Sequence, residues 1–235
     1  MSIFNNKIIV VTGVAGNLGR AVVTVFLEAG ATVCALDHRH GRLEKILEGN
    51  TTRLHFFEDV DSTDRDAMIA TANKIKSTVG IVDVLVNTVG GFTMGQRVDE
   101  ITADTWDHMM NLNVHPFLNA AAAYVPGMIL AGKGKIVTVG AGASLKGGAK
   151  MGAYSAAKGA LLRLTESLSA ELMGKNIQVN CVLPGTIDTP ENRKAMPDAN
   201  FARWVKPEQI AKTILFLASI DADAITGAAI PVTGG

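Results

Sequence analysis

Residues 153–160 read AYSAAKGA and set Tyr154 and Lys158 four apart in an alanine-rich run of helical character. Side chains four apart share one face of a helix, so the phenol and the ammonium point the same way. A free tyrosine titrates near ~10 and is a poor base at neutral pH. A positive charge beside it stabilises the phenolate and lowers that value. Such a pair can trade a proton with a substrate oxygen or nitrogen. The same spacing also fits a core tyrosine beside a lysine that lays its stem on apolar surface and keeps its charge in water. What decides between these readings is which other groups the chain brings to Tyr154.

Those groups are positioned by short β-branched runs that alternate with longer helical patterns. The unbroken apolar run KIIVVT at 7–12 is the pattern of a parallel strand buried on both faces. Further strands are expected at 32–37, 52–59, 83–87, 134–140, 177–183 and 228–233. Helices are expected at 17–29, 41–48, 63–79, 102–131, 151–174 and 207–218. Thr102 is a plausible N-cap for the fourth of them, and Pro116 should kink it, because the carbonyl of Leu112 loses its helical donor there. Strict alternation implies right-handed crossovers and a single-domain α/β fold, a doubly wound parallel sheet (Rossmann fold) with helices on both faces. One domain is expected over 1–235, and the longest irregular stretch, 184–206, has the length of a functional loop. Ligands of such sheets bind beyond the carboxyl ends of the strands.

The bulk properties narrow the classes. The chain has 235 residues, 48% hydrophobic and 19% charged, enough for a large core and against disorder. Its 22 basic and 22 acidic residues balance, so nothing favours nucleic acid or an anionic membrane surface. The start MSIFNNKIIVVTG lacks the segments of a signal peptide, and no apolar stretch approaches the roughly 20 residues of a membrane span. Cys34 and Cys181 lie in strand-like runs and read as buried free thiols of a reducing compartment. A cytoplasmic location, no membrane partner and no nucleic-acid partner are expected.

The stretch TGVAGNLG, 12–19, joins the first strand to the first helix. Glycines let a backbone turn tightly against a diphosphate, whose charge a helix N-terminus favours. With its position after strand one, this loop resembles the T-G-x-x-x-G-x-G motif of the short-chain dehydrogenase/reductase family. Thr12, Gly13 and Gly19 match it. The middle family glycine falls on Asn17, with Gly16 one place earlier, and Asn tolerates positive φ better than most residues. The resemblance places Gly13, Gly16, Asn17, Leu18 and Gly19 at the cofactor. Asp37, ending CALD, can accept both ribose hydroxyls of adenosine and repel a 2′-phosphate, or it is a surface turn residue. With Arg39 close by, NAD (NADH) is expected over NADP. His38 and His40 read as a solvated face, since no further ligand cluster accompanies them, and no metal is expected.

Five motifs match in order over nearly the whole chain. The resemblance puts Asp59 and Val60 around the adenine. It makes Asn87 and Gly90, in NTVGG, the family N-N-A-G, with Asn87 tying strands together or flooring the cofactor. By that resemblance Tyr154 and Lys158 are the catalytic pair, and Asn113, counted from Trp106 with Asn111 as rival, anchors a water in the proton relay. Pro184, the Ile187 backbone and the Thr189 hydroxyl are implied at the nicotinamide end. Residues 186–206, with Met196, Phe201 and Trp204, form a short lid or ordinary packing. Phe92, Met94, Leu145 and Met151 complete a pocket for a small flat ligand. A homodimer or homotetramer through the helices 102–131 and 151–174 is implied as well.

One position departs. The family serine lies 13 residues before the tyrosine, and that position is Ala141; Ser144 replaces it only if the loop bends. Losing such a donor to a reacting oxygen costs on the order of 10²- to 10³-fold in rate. The segments 141–160 and 183–204 are similar to the quinonoid dihydropteridine reductase branch of the family, which lacks the serine and reduces an electron-poor ring. The expected activity is hydride transfer between a nicotinamide cofactor and a small carbonyl, alcohol or conjugated C=N substrate. The rival is a catalytically weak NAD-binding sensor or scaffold.

Overall fold

The computed structural model describes residues 3–41, 43, 47 and 52–234. Seven strands form one parallel sheet: β1 (Ile8–Thr12), β2 (Thr32–Leu36), β3 (Leu54–Phe57), β4 (Val84–Asn87), β5 (Gly134–Val139), β6 (Ile177–Pro184) and β7 (Ala229–Val232). Their order is β3-β2-β1-β4-β5-β6-β7, so the winding direction reverses between β1 and β4. In such sheets the place for a ligand is at that reversal, beyond the carboxyl ends of the strands.

The strands carry apolar residues at nearly every position because both faces are covered. Ile9, Val11, Val33, Ala35, Val84, Val86, Val137 and Val139 face one core, with α1 (Asn17–Glu28) and α7 (Pro207–Ala218) packed over it. Val10, Cys34, Leu36, Leu85 and Ile136 face the other. Over that face lie α2 (Arg65–Thr78), α4 (His115–Ala131) and α5 (Gly152–Glu171), while α3 (Ala103–Asn113) packs outside against α5.

Several boundaries differ from the sequence reading. The helix expected at 102–131 is two helices, separated at Val114, two residues before Pro116. Thr102 is its N-cap, accepting the Thr105 N–H at 3.2 Å. The stretch 103–131 is, by length and composition, apolar enough to cross a membrane, which the reading of the sequence had not allowed for. Here it is broken, and Phe117, Ala120, Tyr124, Val125 and Met128 of α4 enter the core. The segment 184–206 is not structureless: it holds α6 (Pro190–Ala195) and a 3₁₀ turn at Phe201–Arg203. The helix expected at 41–48 lies largely outside the described residues. Cys34 and Cys181 are buried free thiols, as expected.

Asn87 shows why β1, β4 and β5 keep their register at the site. It is fully buried; its Oδ1 accepts from the Thr12 hydroxyl at 2.8 Å and its Nδ2 reaches the Thr138 hydroxyl at 3.4 Å. Asn87→Ala leaves both hydroxyls buried without this partner, so unfolding free energy should fall by about 2 kcal/mol. A denaturant midpoint equal to the wild type would show that the threonines re-pair at no cost.

Candidate active site

The first βα turn is shaped by two glycines. Gly13 has φ +72°, in the left-handed region that favours glycine. A Cβ on Gly19 would stand 2.4 Å from the Gly13 carbonyl oxygen, so α1 packs against the loop only without a side chain there. Leu18 buries its side chain in the core and leaves its backbone at the helix start. The first N–H groups of α1 have no intrahelical acceptor and carry the positive end of its dipole. Asn17 is not in the left-handed region. It is the first residue of α1, Gly16 precedes it in extended conformation, and the positive-φ residues do not include it. The loop therefore keeps its turn with Asn at the family glycine because that position asks for helical backbone.

Asp37 follows β2 and is buried. Its Oδ2 accepts the Ala15 N–H of the turn at 2.8 Å and its Oδ1 the Arg39 N–H at 3.1 Å. This makes it a fixed carboxylate that joins β2 to the phosphate loop, with lone pairs left for hydroxyl donors. His38 Nδ1 lies 3.4 Å from it. His40 is exposed, pairs with Asp59 at 2.8 Å, and is held above the usual histidine range by that hydrogen bond. Among the described residues no cluster of metal-ligating groups occurs. Asp59 has φ +59° and Val60 is buried, its N–H bound to the Asp37 carbonyl at 3.0 Å. Asp37, Asp59 and Val60 thus sit together at one end of the crevice.

Gly90 is the junction of the catalytic candidates. A Cβ there would stand 2.9 Å from both the Asn113 Oδ1 and the Lys158 Nζ. Asn113 is fully buried; its Oδ1 accepts the Gly91 N–H at 3.1 Å and its Nδ2 donates to the Met109 carbonyl at 3.0 Å. Asn111 is exposed, whereas Asn113 lies beside Gly90. The break at Val114 lies beside it, as Pro116 requires. Lys158 is buried and its Nζ donates to the Val139 carbonyl at 3.0 Å. That bond uses one of three donors, and burial pulls the ammonium down to about 8.

Tyr154 sits one turn before Lys158 on α5, with the Phe92 ring edge-on at 4.9 Å. The lowering expected from the lysine does not occur in the protein alone. No hydrogen bond joins the two among the described residues, and burial pushes the phenol up to about 12. Desolvation acts on the charged form of each group, so it moves the acid and the base in opposite directions.

The Ser144 hydroxyl is engaged within its own turn. Its Oγ accepts the Ala141 N–H at 3.2 Å within the 3₁₀ turn Gly142–Ser144. It also lies 3.2 Å from where a Gly140 Cβ would be. Ala141 is extended, and consecutive side chains of extended backbone point to opposite sides. The Ser144 hydroxyl therefore belongs to the Gly140 side.

Pro184 ends β6, buried, and the segment 186–206, expected as a lid, follows. Ile187 bridges Val205, and its carbonyl accepts the Asn192 amide at 2.8 Å. The Thr189 hydroxyl caps α6, accepting the Asn192 N–H at 3.2 Å and donating to the Glu191 carboxylate. Arg193 pairs with Asp188 at 2.5 Å and stacks over the Phe201 ring, whose centroid is 4.8 Å away. Phe201 in turn touches Trp204. Phe92, Met94, Leu145 and Met196 stand exposed. Spacing along the chain gave no sign of one contact, between Asn17 and Glu191, 174 residues apart.

The site fits a dinucleotide on its donor set: a glycine turn at a helix N-terminus, a fixed carboxylate after β2, and a buried ammonium with free donors. Known proteins agree with this geometry. The model of the short chain dehydrogenase family matches residues 7–200. The chain is 32% identical to the 3-oxoacyl-(acyl-carrier-protein) reductase FabG of Thermotoga maritima, over 97% of both chains. It is 34% identical to 2-(S)-hydroxypropyl-CoM dehydrogenase 3 of Xanthobacter autotrophicus, over 98% of this chain and 96% of that one. It superposes on the crystal structure of ribose-5-phosphate isomerase from Brucella melitensis with a TM-score of 0.90 and 29% identity, covering 100% and 93% of the two chains.

Proposed function

The chain belongs to the short-chain dehydrogenase family of oxidoreductases, and from that premise we propose that it reduces a small carbonyl or conjugated C=N substrate with NADH. The observation that carries the reading is the meeting of Lys158, Asn113 and Gly90 one helical turn from Tyr154, at the open end of the crevice. When bound, the cofactor supplies hydride. The chain's residues do the rest. The Tyr154 phenol, at about 12, holds its proton at neutral pH and donates it to the substrate oxygen or nitrogen as hydride arrives. Lys158 directs its free donors at the ribose and restores charge beside the phenolate. Asn113 holds the Gly91 backbone in place and leaves room for relay water at the helix break. Asp37 accepts from the adenosine ribose and disfavours a 2′-phosphate, hence NAD over NADP.

A particular observation favours the C=N version. Ala141 stands at the serine position and the Ser144 hydroxyl accepts the Ala141 N–H, so in this reading Tyr154 acts without a serine partner. An electron-poor ring, as in quinonoid dihydropterin, accepts hydride without a second donor. The curated relatives named above act on 3-oxoacyl thioesters and hydroxypropyl-CoM, which makes carbonyl and alcohol substrates the comparison. The test is NADH oxidation by purified protein with quinonoid dihydropterin and with a 3-oxoacyl thioester, each repeated with Ala141→Ser. The C=N reading expects fast saturable turnover of the pterin, little changed by the new hydroxyl, and thioester reduction raised about tenfold or more by it. Thioester turnover ahead of pterin turnover in the wild type would replace the C=N reading with the carbonyl one. No turnover with NADH bound would favour the NAD-binding sensor or scaffold.

On the same basis we place the protein in the cytoplasm, with a small-molecule substrate and no nucleic-acid or membrane partner. It acts as a homodimer or homotetramer joined through α4 and α5, where Leu118, Ile129 and Leu130 stand exposed on α4.

A further inference from the structure

Asn17 joins the phosphate turn to the segment that follows β6. Its Nδ2 donates to the Glu191 Oε2 at 2.8 Å, and Arg20 Nη2 donates to its Oδ1. The two neighbours fix the amide's orientation: the acceptor faces a guanidinium and the donor faces a carboxylate. Glu191 lies in the first turn of the lid helix α6, and its carboxyl is held below the usual range by its own backbone N–H, by the Asn17 amide, by the Thr189 hydroxyl and by the charge of Arg20. Asn17 opens α1, at the turn whose free N–H groups favour a diphosphate. The bond therefore crosses over the mouth of that turn.

Behind the contact the lid is braced as a unit. The Thr189 cap, the Asn192 amide on the Ile187 carbonyl, the Asp188–Arg193 pair and the Ile187–Val205 bridge tie its parts together. Holding Glu191 therefore holds α6. A glycine at position 17 would keep the turn, since the backbone there is helical and needs no side chain, but it would remove the hold. Charge adds to the effect. A diphosphate at the α1 N-terminus meets the Glu191 carboxylate as a like charge, and Asn17 is the neutral spacer between that carboxylate and Arg20.

We propose that Asn17 is a positioning residue that latches the lid helix through Glu191 across the diphosphate site, so that the cofactor enters and leaves when this bond is open. The proposal rests on the nicotinamide reading for its ligand, whereas the latch itself belongs to the protein alone. Two measurements separate them. Hydrogen exchange of residues 189–196 in cofactor-free protein reads the latch. Stopped-flow NADH fluorescence reads entry and exit. Asn17→Gly and Glu191→Ala should each speed exchange of the α6 amides and raise the NADH dissociation rate by about three- to tenfold, the scale of one exposed charge-assisted hydrogen bond. The double variant should fall short of the sum of the single ones and match Glu191→Ala, because the Asn17 bond is lost in both single variants and Glu191→Ala also loses the Thr189 contact. Glu191→Gln keeps an acceptor for the Asn17 amide and should restore most of the protection. Exchange rates in Asn17→Gly within twofold of the wild type would overturn the latch, as would additive effects in the double variant. Failure of the wild type to bind NADH at all would overturn the cofactor reading, while the exchange measurement still decides the latch.

Discussion

Tyr154→Phe should lower kcat by about 10²- to 10⁴-fold, the range that a positioned proton donor contributes, and leave the dissociation constant for NADH within threefold of the wild type. The substitution removes one oxygen and keeps the ring. The edge-on contact with Phe92 survives, and so does the packing of the ring beside Met109, Val114, Ala153 and Ala157. No hydrogen bond from the phenol holds the fold among the described residues, so stability should change by less than about 1 kcal/mol. The loss would therefore be chemical. Because the phenol stands at about 12 in the protein alone, wild-type reduction should not fall between pH 6 and 8 through this group, since the donor stays protonated throughout. Steady-state kinetics and a fluorescence titration check both halves. Residual turnover above a tenth of the wild type would remove Tyr154 as the proton donor and leave Lys158 and water as candidates.

How far the site could be read from the sequence depends on the range of the interaction. The glycine turn, the carboxylate after β2, the Tyr154–Lys158 spacing and the break at Pro116 are local, each set by neighbours within a few residues. Periodicity and turn chemistry carry them, and the fold keeps them. The doubly wound parallel sheet followed from alternation and handedness, whereas the order of its strands came with the structure. What was not legible needs three dimensions. The direction of the Tyr154 shift depends on burial, and the sequence showed a lysine nearby but not the absence of a bond between them. Ser144 was separated from the site by the 3₁₀ turn at Gly142–Ser144, which sends its oxygen back to the Ala141 N–H. Asn17 was expected to need glycine-like backbone because it replaces a glycine, although the helix was expected to begin there; as the first residue of α1 it takes helical backbone instead. Asn111 and Asn113 are alike in sequence and differ in burial, because two residues apart on α3 they do not share a face.

Lys158→Met should abolish most turnover and at the same time stabilise the protein by about 2 kcal/mol at pH 7. The physical reason is the depressed ammonium. Burial brings Lys158 from 10.5 to about 8, and at about 1.4 kcal/mol for each pH unit the gap amounts to about 3 kcal/mol. The sign follows from proton counting. Between pH 8 and 10.5 the unfolded chain holds the proton that the folded chain has released, so stability rises with pH through that window. The cost is fully present below pH 8, where the folded protein keeps a buried charge with one carbonyl partner. Methionine removes the charge and fills a similar volume; the Val139 carbonyl loses its donor, which offsets about 1 kcal/mol. The stability difference between the variant and the wild type should therefore be largest at pH 7 and shrink toward pH 10. Urea midpoints across that range measure it. A variant less stable than the wild type at pH 7 would mean that the Val139 carbonyl holds the ammonium more firmly than burial disfavours it. The expected result would place Lys158 among residues kept for reaction against the interest of the fold: its free donors, which the apolar surroundings leave unpaired, are what the cofactor ribose and the Tyr154 phenolate require.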